Sequence, residues 1–198
     1  TTNINDIGGT PAGTEFFLLV NGFRKSPLVT TTANSRSAGG SLADTDFHAT
    51  VDLMGAAGLV GADMTKVGFI LDAPTYRKVM QLASVKSRDV FANATIENGA
   101  LSSIWGYPVY RSFFMHYLAT ARKANTAGKV DLDTQGNNTR GAILAVRWDQ
   151  WVFGWKRRVL FEQVRIPRAD STEVTATLRF GLLQRDTEAS AETYNIGL

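Results

Sequence analysis

The sequence predicts an α+β protein with a largely antiparallel sheet, and three observations carry that prediction. Two segments, 44–60 and 74–83, have the apolar spacing of helices. Most other apolar segments are short or alternate in polarity, which is typical of strands. The two longest of these, 152–166 and 173–185, follow one another near the C-terminus. Because helices and strands do not alternate regularly, a repeating parallel βαβ arrangement is not expected.

The composition is that of a folded protein with enough apolar material for a core. The 198 residues are 44% apolar and 20% charged, and the net charge is +3. No apolar run reaches the roughly 18 residues that a transmembrane helix needs, so no membrane partner is expected. The absence of cysteine excludes disulfides, thiolate metal sites and cysteine catalysis.

The first helix is predicted over 44–60. Phe47, Val51 and Met54 recur at helical spacing, and Gly61 follows the segment as a possible end signal. Acidic residues just before the first apolar position favour a helix start there. This helix would therefore place one apolar face on the core.

The next segments predict a strand, a second helix and a pair of strands. KVGFIL at 66–71 is a short, continuously apolar run, as in a buried strand. Pro74 suits the first turn of the helix at 74–83, because the N–H that proline lacks would have no partner there. Residues 101–112 predict two short strands with a break near Gly106.

The C-terminal part is predicted to consist mainly of strands. Polar segments at 30–41 and 119–140 are predicted to be flexible surface loops. The predicted elements after them are a strand at 141–146, a turn at 149–150, long strands at 152–166 and 173–185 joined as a hairpin, and a polar, extended tail at 186–198.

The stretch RWDQWVFGWKRRVLFEQ at 147–163 interleaves aromatic and basic side chains, as grooves for single-stranded nucleic acid do. Residues 140–185 also hold nine Lys or Arg against four Asp or Glu. Strand alternation, however, predicts two different faces. One face would carry Phe153, Trp155, Arg157, Val159 and Phe161, and the other Gly154, Lys156, Arg158, Leu160 and Glu162.

Three interpretations of this stretch remain open. It can be a structural strand that covers a core, a nucleic-acid-binding module over 147–168, or a protein contact. Tryptophan and arginine are favoured anchors of protein interfaces. We therefore predict Trp151, Trp155, Arg157 and Arg158 as candidate subunit-interface residues.

Patterns that would indicate catalysis or metal binding are incomplete. His48 and His116 are the only histidines, and neither accompanies a nucleophile motif, so a hydrolase using His116 is a distant alternative. The segment 131–142 begins like a calcium loop but ends in alanine where a bidentate carboxylate is required. We expect no enzyme activity, no metal and no cofactor.

The ordered segments resemble a known family. VGFILDAPTYRKVMQL, then GALSSIWGYPVYRS, then the long run from GAILAVRWDQWVFGWKRR to TATLRFGL are similar in order and spacing to the C-terminal half of tailed-phage major capsid proteins. The upstream segments NGFRKSPLV and TTANSRSAGGSL also fit this family. The likeness covers nearly the whole chain, and it is the order of the segments that carries it. These proteins have the Hong Kong 97-type capsid fold.

The resemblance implies a domain organisation. Residues 1–40 would be an entry segment with peripheral-domain strands, and 41–140 would form the axial domain. Residues 141–198 would supply long strands shared between the axial and peripheral domains. The N-terminal arm, extended loop and spine helix of the family are not readable before Thr1, so we expect a chain that lacks them.

The resemblance also implies a function. Copies would assemble as pentamers and hexamers into an icosahedral phage head that encloses double-stranded DNA nonspecifically, with scaffold and portal proteins as possible partners. The protein would then lie in the virion, and in the host cytoplasm during assembly. An encapsulin-like compartment shell shares the fold and is the main alternative.

Overall fold

The computed structural model describes residues 22–55, 65–86, 96–97, 100–112 and 139–197. Ten strands and three α-helices lie in these ranges. The helices are α1 (Asp44–Asp52), α2 (Ala73–Val79) and α3 (Ala83–Lys86). The strands are β1 (Ser35–Ser37), β2 (Val67–Asp72), β3 (Ile96–Glu97), β4 (Ala100–Leu101), β5 (Ser103–Ile104), β6 (Tyr107–Ser112), β7 (Arg140–Arg147), β8 (Trp151–Ile166), β9 (Ser171–Gln184) and β10 (Ser190–Gly197). Short π and 3₁₀ turns lie at Ser26–Thr30, Thr32–Asn34, Trp148–Gln150 and Pro167–Ala169.

Six strands form one mixed sheet in the order β1-β10-β7-β2-β6-β5. Three neighbouring pairs are antiparallel, whereas β1–β10 and β2–β6 are parallel. The parallel β2–β6 pair requires a crossover, and α2 and α3 lie in the chain between these strands. The α+β class is confirmed, and the main sheet, predicted to be largely antiparallel, is mixed. β8 and β9 form a separate long hairpin, and β3 and β4 a small one.

Strand β7 lies at the centre of the core because both of its faces are buried. Ile143 and Ala145 pack with the helices in the larger apolar cluster, which includes Phe47 of α1. Leu144 and Val146 pack on the opposite face against Phe23 and other side chains. A continuous apolar run such as GAILAV is what burial on both faces requires.

Helix α1 buries the apolar face that its spacing predicts, but it is shorter than expected. Phe47, Val51 and Met54 are buried. The helix ends at Asp52 rather than near residue 60, and Gly55 follows with a φ of +56°. A left-handed residue cannot continue a right-handed helix, and glycine adopts this conformation at little cost. Gly61, the expected end signal, lies outside the described residues.

The segment after residue 186 differs most from expectation. We predicted a polar, extended tail, but Ser190–Gly197 is strand β10, paired on both sides within the main sheet. Two of its polar residues, Glu192 and Thr193, are buried and have side-chain partners there. Thr193 hydrogen-bonds Thr50 at 2.7 Å, and Glu192 binds Arg24. The polar sequence pattern therefore wrongly indicated an exposed tail at a strand that is mostly buried.

Gly68 of β2 lies in a place that has no room for a Cβ atom. A Cβ there would be 3.0 Å from Trp148 Cζ2 and 3.2 Å from Tyr110 Cε2. We expect Gly68→Ala to lower the free energy of unfolding by about 1–3 kcal/mol, because overpacking displaces both rings. Urea unfolding followed by circular dichroism measures this. Gly40→Ala is the control, because a Cβ at Gly40 meets nothing within 4 Å. Equal stability of both variants would contradict the close packing at Gly68.

Candidate subunit interface

The hairpin formed by β8 and β9 is the most exposed part of the described chain. Its strands of 16 and 14 residues span about 50 Å at the usual rise per residue. Only Trp151, Thr177, Leu182 and Gln184 are partly buried, and every other hairpin residue is exposed. The turn is a 3₁₀ segment at Pro167–Ala169 followed by Asp170 in the left-handed region. The predicted hairpin is thus present, with ends within two residues of those expected.

Exposed apolar side chains concentrate on this hairpin. Of the thirteen large apolar side chains that are exposed in the described residues, twelve belong to β8 or β9 and one is Tyr110. An isolated two-stranded hairpin is marginally stable in water. Exposed apolar side chains concentrated in this way are typical of interaction sites. The hairpin is therefore the candidate interface of the molecule.

The pairing register defines two faces of the hairpin, since directly opposite residues in an antiparallel pair point to the same side. Trp155 is opposite Phe180, and Phe161 is opposite Ala176. The face to which these belong is called the aromatic face. It carries Trp151, Phe153, Trp155, Phe161, Gln163 and Arg165 from β8, and Thr172, Val174, Ala176, Leu178, Phe180, Leu182 and Gln184 from β9.

Three rings form a cluster on the aromatic face. Phe153 and Trp155 have ring centroids 4.9 Å apart, and Phe180 lies 5.5 Å from Phe153 and 6.0 Å from Trp155. Despite these contacts, Trp155 remains 55% exposed. The rings pack against one another, and the three residues remain 42–55% exposed to a partner.

The opposite side of the hairpin is called the mixed face. Each of its rows is a pair of directly opposite residues, one from β8 and one from β9. From the base towards the tip, the paired rows are Val152/Leu183, Gly154/Gly181, Arg157/Arg179, Leu160/Thr177, Glu162/Thr175, Val164/Glu173 and Ile166/Ser171. An apolar row, a glycine row and a basic row therefore lie on the base side of Leu160/Thr177, and the two rows that contain glutamate lie on its tip side.

Two irregularities in β8 correct the predicted assignment of faces. The register shifts between Trp155 and Arg157 and again between Arg157 and Leu160, so β8 carries an extra residue at each place. An extra residue reverses the alternation. Arg157 consequently lies on the mixed face rather than beside Trp155, and two reversals return Phe161 to the aromatic face. The predicted grouping of Arg157 with Trp155 was wrong for this reason.

The first bulge places two positive charges opposite each other. Arg157 and Arg179 are directly paired and both are exposed. Lys156 and Arg158 adjoin Arg157 in β8 and are exposed as well. Like charges in directly opposite positions destabilise a strand pair. This basic cluster therefore costs stability in the isolated hairpin.

The four predicted interface residues occupy different environments. Trp151 lies at the base, partly buried, with its ring 4.7 Å from that of Phe23. Trp155 lies in the exposed ring cluster, and Arg157 on the mixed face. Arg158 is exposed within the bulged segment. Trp151 joins the hairpin to the sheet, whereas the other three are accessible to a partner.

This difference gives a testable contrast between two tryptophans. We expect Trp151→Ala to lower the free energy of unfolding by about 2–3 kcal/mol, because the ring packs on Phe23 and the apolar cluster behind β7. Trp155→Ala should cost less than about 1 kcal/mol, since most of that ring is already in water. Urea unfolding followed by circular dichroism measures both. A larger loss for Trp155→Ala than for Trp151→Ala would contradict the assignment.

A buried ion pair lies near the base of the hairpin, on the sheet. Arg24 donates to Glu192 from Nε at 3.1 Å to each carboxylate oxygen, and from Nη2 at 2.6 Å to Oε1. Burial raises the pKa of Glu192, Arg24 opposes that rise, and Asp72 adds to it. Asp72 itself is held by the N–H groups of Thr75 and Ala142, each at 3.1 Å. Arg24, Glu192 and Asp72 thus each have hydrogen-bonding partners within the fold.

The other candidate sites do not acquire catalytic surroundings in the described residues. His48 is exposed and its ring lies 4.4 Å from that of Trp105. His116 and the calcium-like segment 131–142 fall largely or wholly outside the described ranges. Across residues 22–55, 65–86, 96–97, 100–112 and 139–197, no cluster of three metal-ligating side chains is found. None of the helices described is both long and apolar enough to cross a membrane.

Solved structures that this chain resembles include phage capsid chains and an encapsulin. The chain superimposes on a mature capsid chain of bacteriophage PhiM1 with a TM-score of 0.56, at 12% identity, over 80% of this chain and 50% of that one. A chain of the satellite phage P4 procapsid matches with a TM-score of 0.54, at 11% identity, over 96% and 55%. The SrpI encapsulin of Synechococcus elongatus matches at 0.50, with 13% identity, over 99% and 70%. No protein-family model and no curated protein matches the sequence.

These similarities define the fold. The mixed sheet flanked by helices, together with the long hairpin, is the Hong Kong 97-type capsid fold, as the order of the sequence segments predicted. The chain spans about half the length of the PhiM1 and P4 chains that it matches. At identities of 11–13%, the likeness concerns architecture and does not extend to individual residue contacts.

Proposed function

We propose that this chain is a structural subunit of an icosahedral phage head, assembling as pentamers and hexamers around double-stranded DNA. One observation carries the proposal most: in a chain with a capsid fold, twelve of the thirteen exposed large apolar side chains lie on one hairpin. A catalytic protein concentrates polar groups in a cleft, whereas a shell subunit needs extended contact surfaces. The role is therefore mechanical, without catalysis.

We further propose an assignment of the elements to an axial and a peripheral domain. The six-stranded sheet with α1 and α2 would form the axial domain around a capsomer axis, and α1, α2, β2, β5 and β6 lie within 41–140. The long hairpin would belong to the peripheral domain, to which part of 1–40 would also contribute. Residues 141–198 would then be shared, because β7 and β10 lie in the sheet while β8 and β9 form the hairpin. In that arrangement, Trp155, Arg157 and Arg158 would face neighbouring subunits.

The partners follow from this role. The protein binds other copies of itself, and scaffold and portal proteins would guide closure of the shell. The net charge of +3 is compatible with loose contact to packaged DNA, whereas a strongly basic lining would retard packaging. The protein would then lie in the virion, after assembly in the host cytoplasm.

An encapsulin-like compartment shell is the second candidate, favoured by the match to SrpI over 99% of this chain. The content of assembled particles separates the two roles. We expect particles purified from the native source to contain nuclease-protected double-stranded DNA. Particles filled with enzyme and free of DNA would instead establish the compartment shell.

A nucleic-acid-binding module over 147–168 is the third candidate, and its basis is the cluster of Lys156, Arg157 and Arg158. We expect weak, salt-sensitive binding with no strand preference, because the bulges separate Arg157 from the ring cluster. Fluorescence anisotropy with a labelled single strand in moderate salt measures this. Tight single-strand binding that is lost in Trp155→Ala and Arg157→Ala variants with intact folds would establish the module.

A further inference from the structure

We propose that the mixed face of the hairpin is self-complementary, and that it binds the same face of a second copy of this chain across a two-fold axis at Leu160. The contact deepens the proposed shell role and rests on it. The axis would run across the strands, in the plane between the two hairpins. Strand β8 of one copy would then lie antiparallel over β8 of the other.

The charges of the mixed face call for an external partner. Arg157 and Arg179 oppose each other, and within the described residues the side chain of neither has an ion pair or hydrogen bond. Two acidic residues, Glu162 and Glu173, lie on the same face nearer the tip and are equally without an ionic partner there. The directly paired rows of this face thus hold two bases and two acids without partners, which suits the self-complementary surface that a two-fold contact between identical copies requires.

The order of the rows matches this symmetry. Seven rows are present, and Leu160/Thr177 is the central one. Rotation about it brings the Arg157/Arg179 row over the Glu162 row of the partner, and the next rows bring Glu173 close to Arg179. Arg157 and Arg179 thus each obtain a carboxylate. Rotation about an axis along the strands would instead place arginine over arginine, which is unfavourable.

The glycine row supplies the matching shape. Gly154 and Gly181 are directly opposite, and a Cβ at either would meet nothing within 4 Å. Glycine inside a strand weakens it, and is expected where another chain approaches closely. The rotation places Val164 and Glu173 of the partner over this gap. At the ends, Val152 meets Ile166 of the second copy, so apolar rows enclose the charged ones.

The size of the contact predicts its strength. A ribbon of two strands about 45 Å long and 10 Å wide covers roughly 450 Å² on each copy. This is about half the area that each partner contributes to a stable, specific interface. The contact should therefore be weak between isolated chains and effective when an assembled shell repeats it many times.

Chemical cross-linking tests the contact. Because the sequence has no native cysteine, only the introduced cysteine can react. We expect Leu160→Cys to give cross-linked dimers with a short bis-maleimide, because the two Leu160 positions meet at the axis. The matched control is Phe161→Cys, the next residue, which is 70% exposed against 41% for Leu160 but lies on the aromatic face. Cross-linking of Phe161→Cys alone would overturn the proposal.

Charge reversal distinguishes this pairing from any other contact at Leu160. In the Leu160→Cys background, Arg157→Glu should lower the cross-linked yield at least about tenfold, and adding Glu162→Arg should restore it. Arg165→Glu on the aromatic face should leave the yield unchanged. Failure of the Glu162→Arg exchange to restore the yield would overturn the pairing. So would binding of duplex DNA that Arg157→Glu abolishes while cross-linking persists, because the face would then be a polyanion site.

Gly154→Val provides a variant that does not threaten folding. Valine favours strands and has open space at this position in the single chain, so the melting temperature should not fall. The cross-linked yield of Leu160→Cys should nevertheless drop several-fold, because the valine fills the space taken by Val164 of the second copy. An unchanged yield would contradict the stacking. If the complete gene product forms shells while Leu160→Cys remains uncross-linked within them, this contact fails and the shell role stands.

Discussion

Replacing Arg24 with methionine is expected to lower the free energy of unfolding by about 3–5 kcal/mol at neutral pH, the largest effect of any single change considered. Glu192 is completely buried, and its ionic partner is Arg24, which donates three hydrogen bonds to its carboxylate. Removing one member of a buried pair leaves the other charge without compensation in a medium that solvates it poorly. Methionine keeps most of the side-chain volume, so the loss would report the charge rather than a cavity.

The loss should depend on pH in a defined direction. Burial already raises the pKa of Glu192 in the folded protein, and removing Arg24 raises it further. A carboxyl whose folded pKa is raised favours folding at low pH, and this contribution disappears as the pH rises through the folded value. The difference between the wild type and Arg24→Met should therefore be smaller at acidic pH than at pH 8. Urea unfolding over this range measures it.

A double replacement provides the control. Arg24→Met combined with Glu192→Leu removes both charges, so the double variant should be more stable than Arg24→Met alone. If Arg24→Met unfolded at the same urea concentration as the wild type at pH 8, the ion pair would contribute nothing. A loss that grew towards acidic pH would contradict the direction of the Glu192 pKa shift.

The second large effect concerns assembly rather than stability. Replacing Trp155 and Phe180 with serine should reduce shell formation by the complete gene product more than tenfold. The two rings are 6.0 Å apart and exposed, so the changes remove apolar contact area from the aromatic face while the main sheet is untouched. Burial of apolar area is the main driving force for association. Sedimentation velocity measures the fraction of shells.

Tyr110→Ser is the matched control for this experiment. Tyr110 is 52% exposed, close to the 55% of Trp155, but lies on β6 of the main sheet rather than on the hairpin. Shell formation should be retained in this variant. A double variant of the hairpin that assembled as well as the wild type, with its fold verified by circular dichroism, would show that the aromatic face is not an interface.

Much of the hairpin was predictable from the sequence, because alternation and turn residues are local properties. The segments 152–166 and 173–185 correspond closely to β8 and β9. The bulges were not predictable, since an extra residue is defined only by the register with the opposite strand. Their effect on Arg157 is decisive, because they move it to the face where it meets Arg179.

Strand β10 and the buried ion pair escaped prediction for a related reason. Ser190, Glu192 and Thr193 look like surface residues until their partners are known. Arg24 and Glu192 are separated by 168 positions, and no local pattern connects them. Most buried polar side chains have a hydrogen-bonding partner, as Glu192 and Thr193 do, and that partner is a property of the tertiary fold.

Electron microscopy of the purified complete gene product is the most direct measurement of the shell role. We expect closed icosahedral particles with pentameric and hexameric capsomers, in whose reconstruction the long hairpin of residues 151–184 lies between subunits, with Trp155 buried. A protein that remained monomeric under all assembly conditions would contradict the role, and so would shells in which the hairpin points into solvent and touches no neighbour.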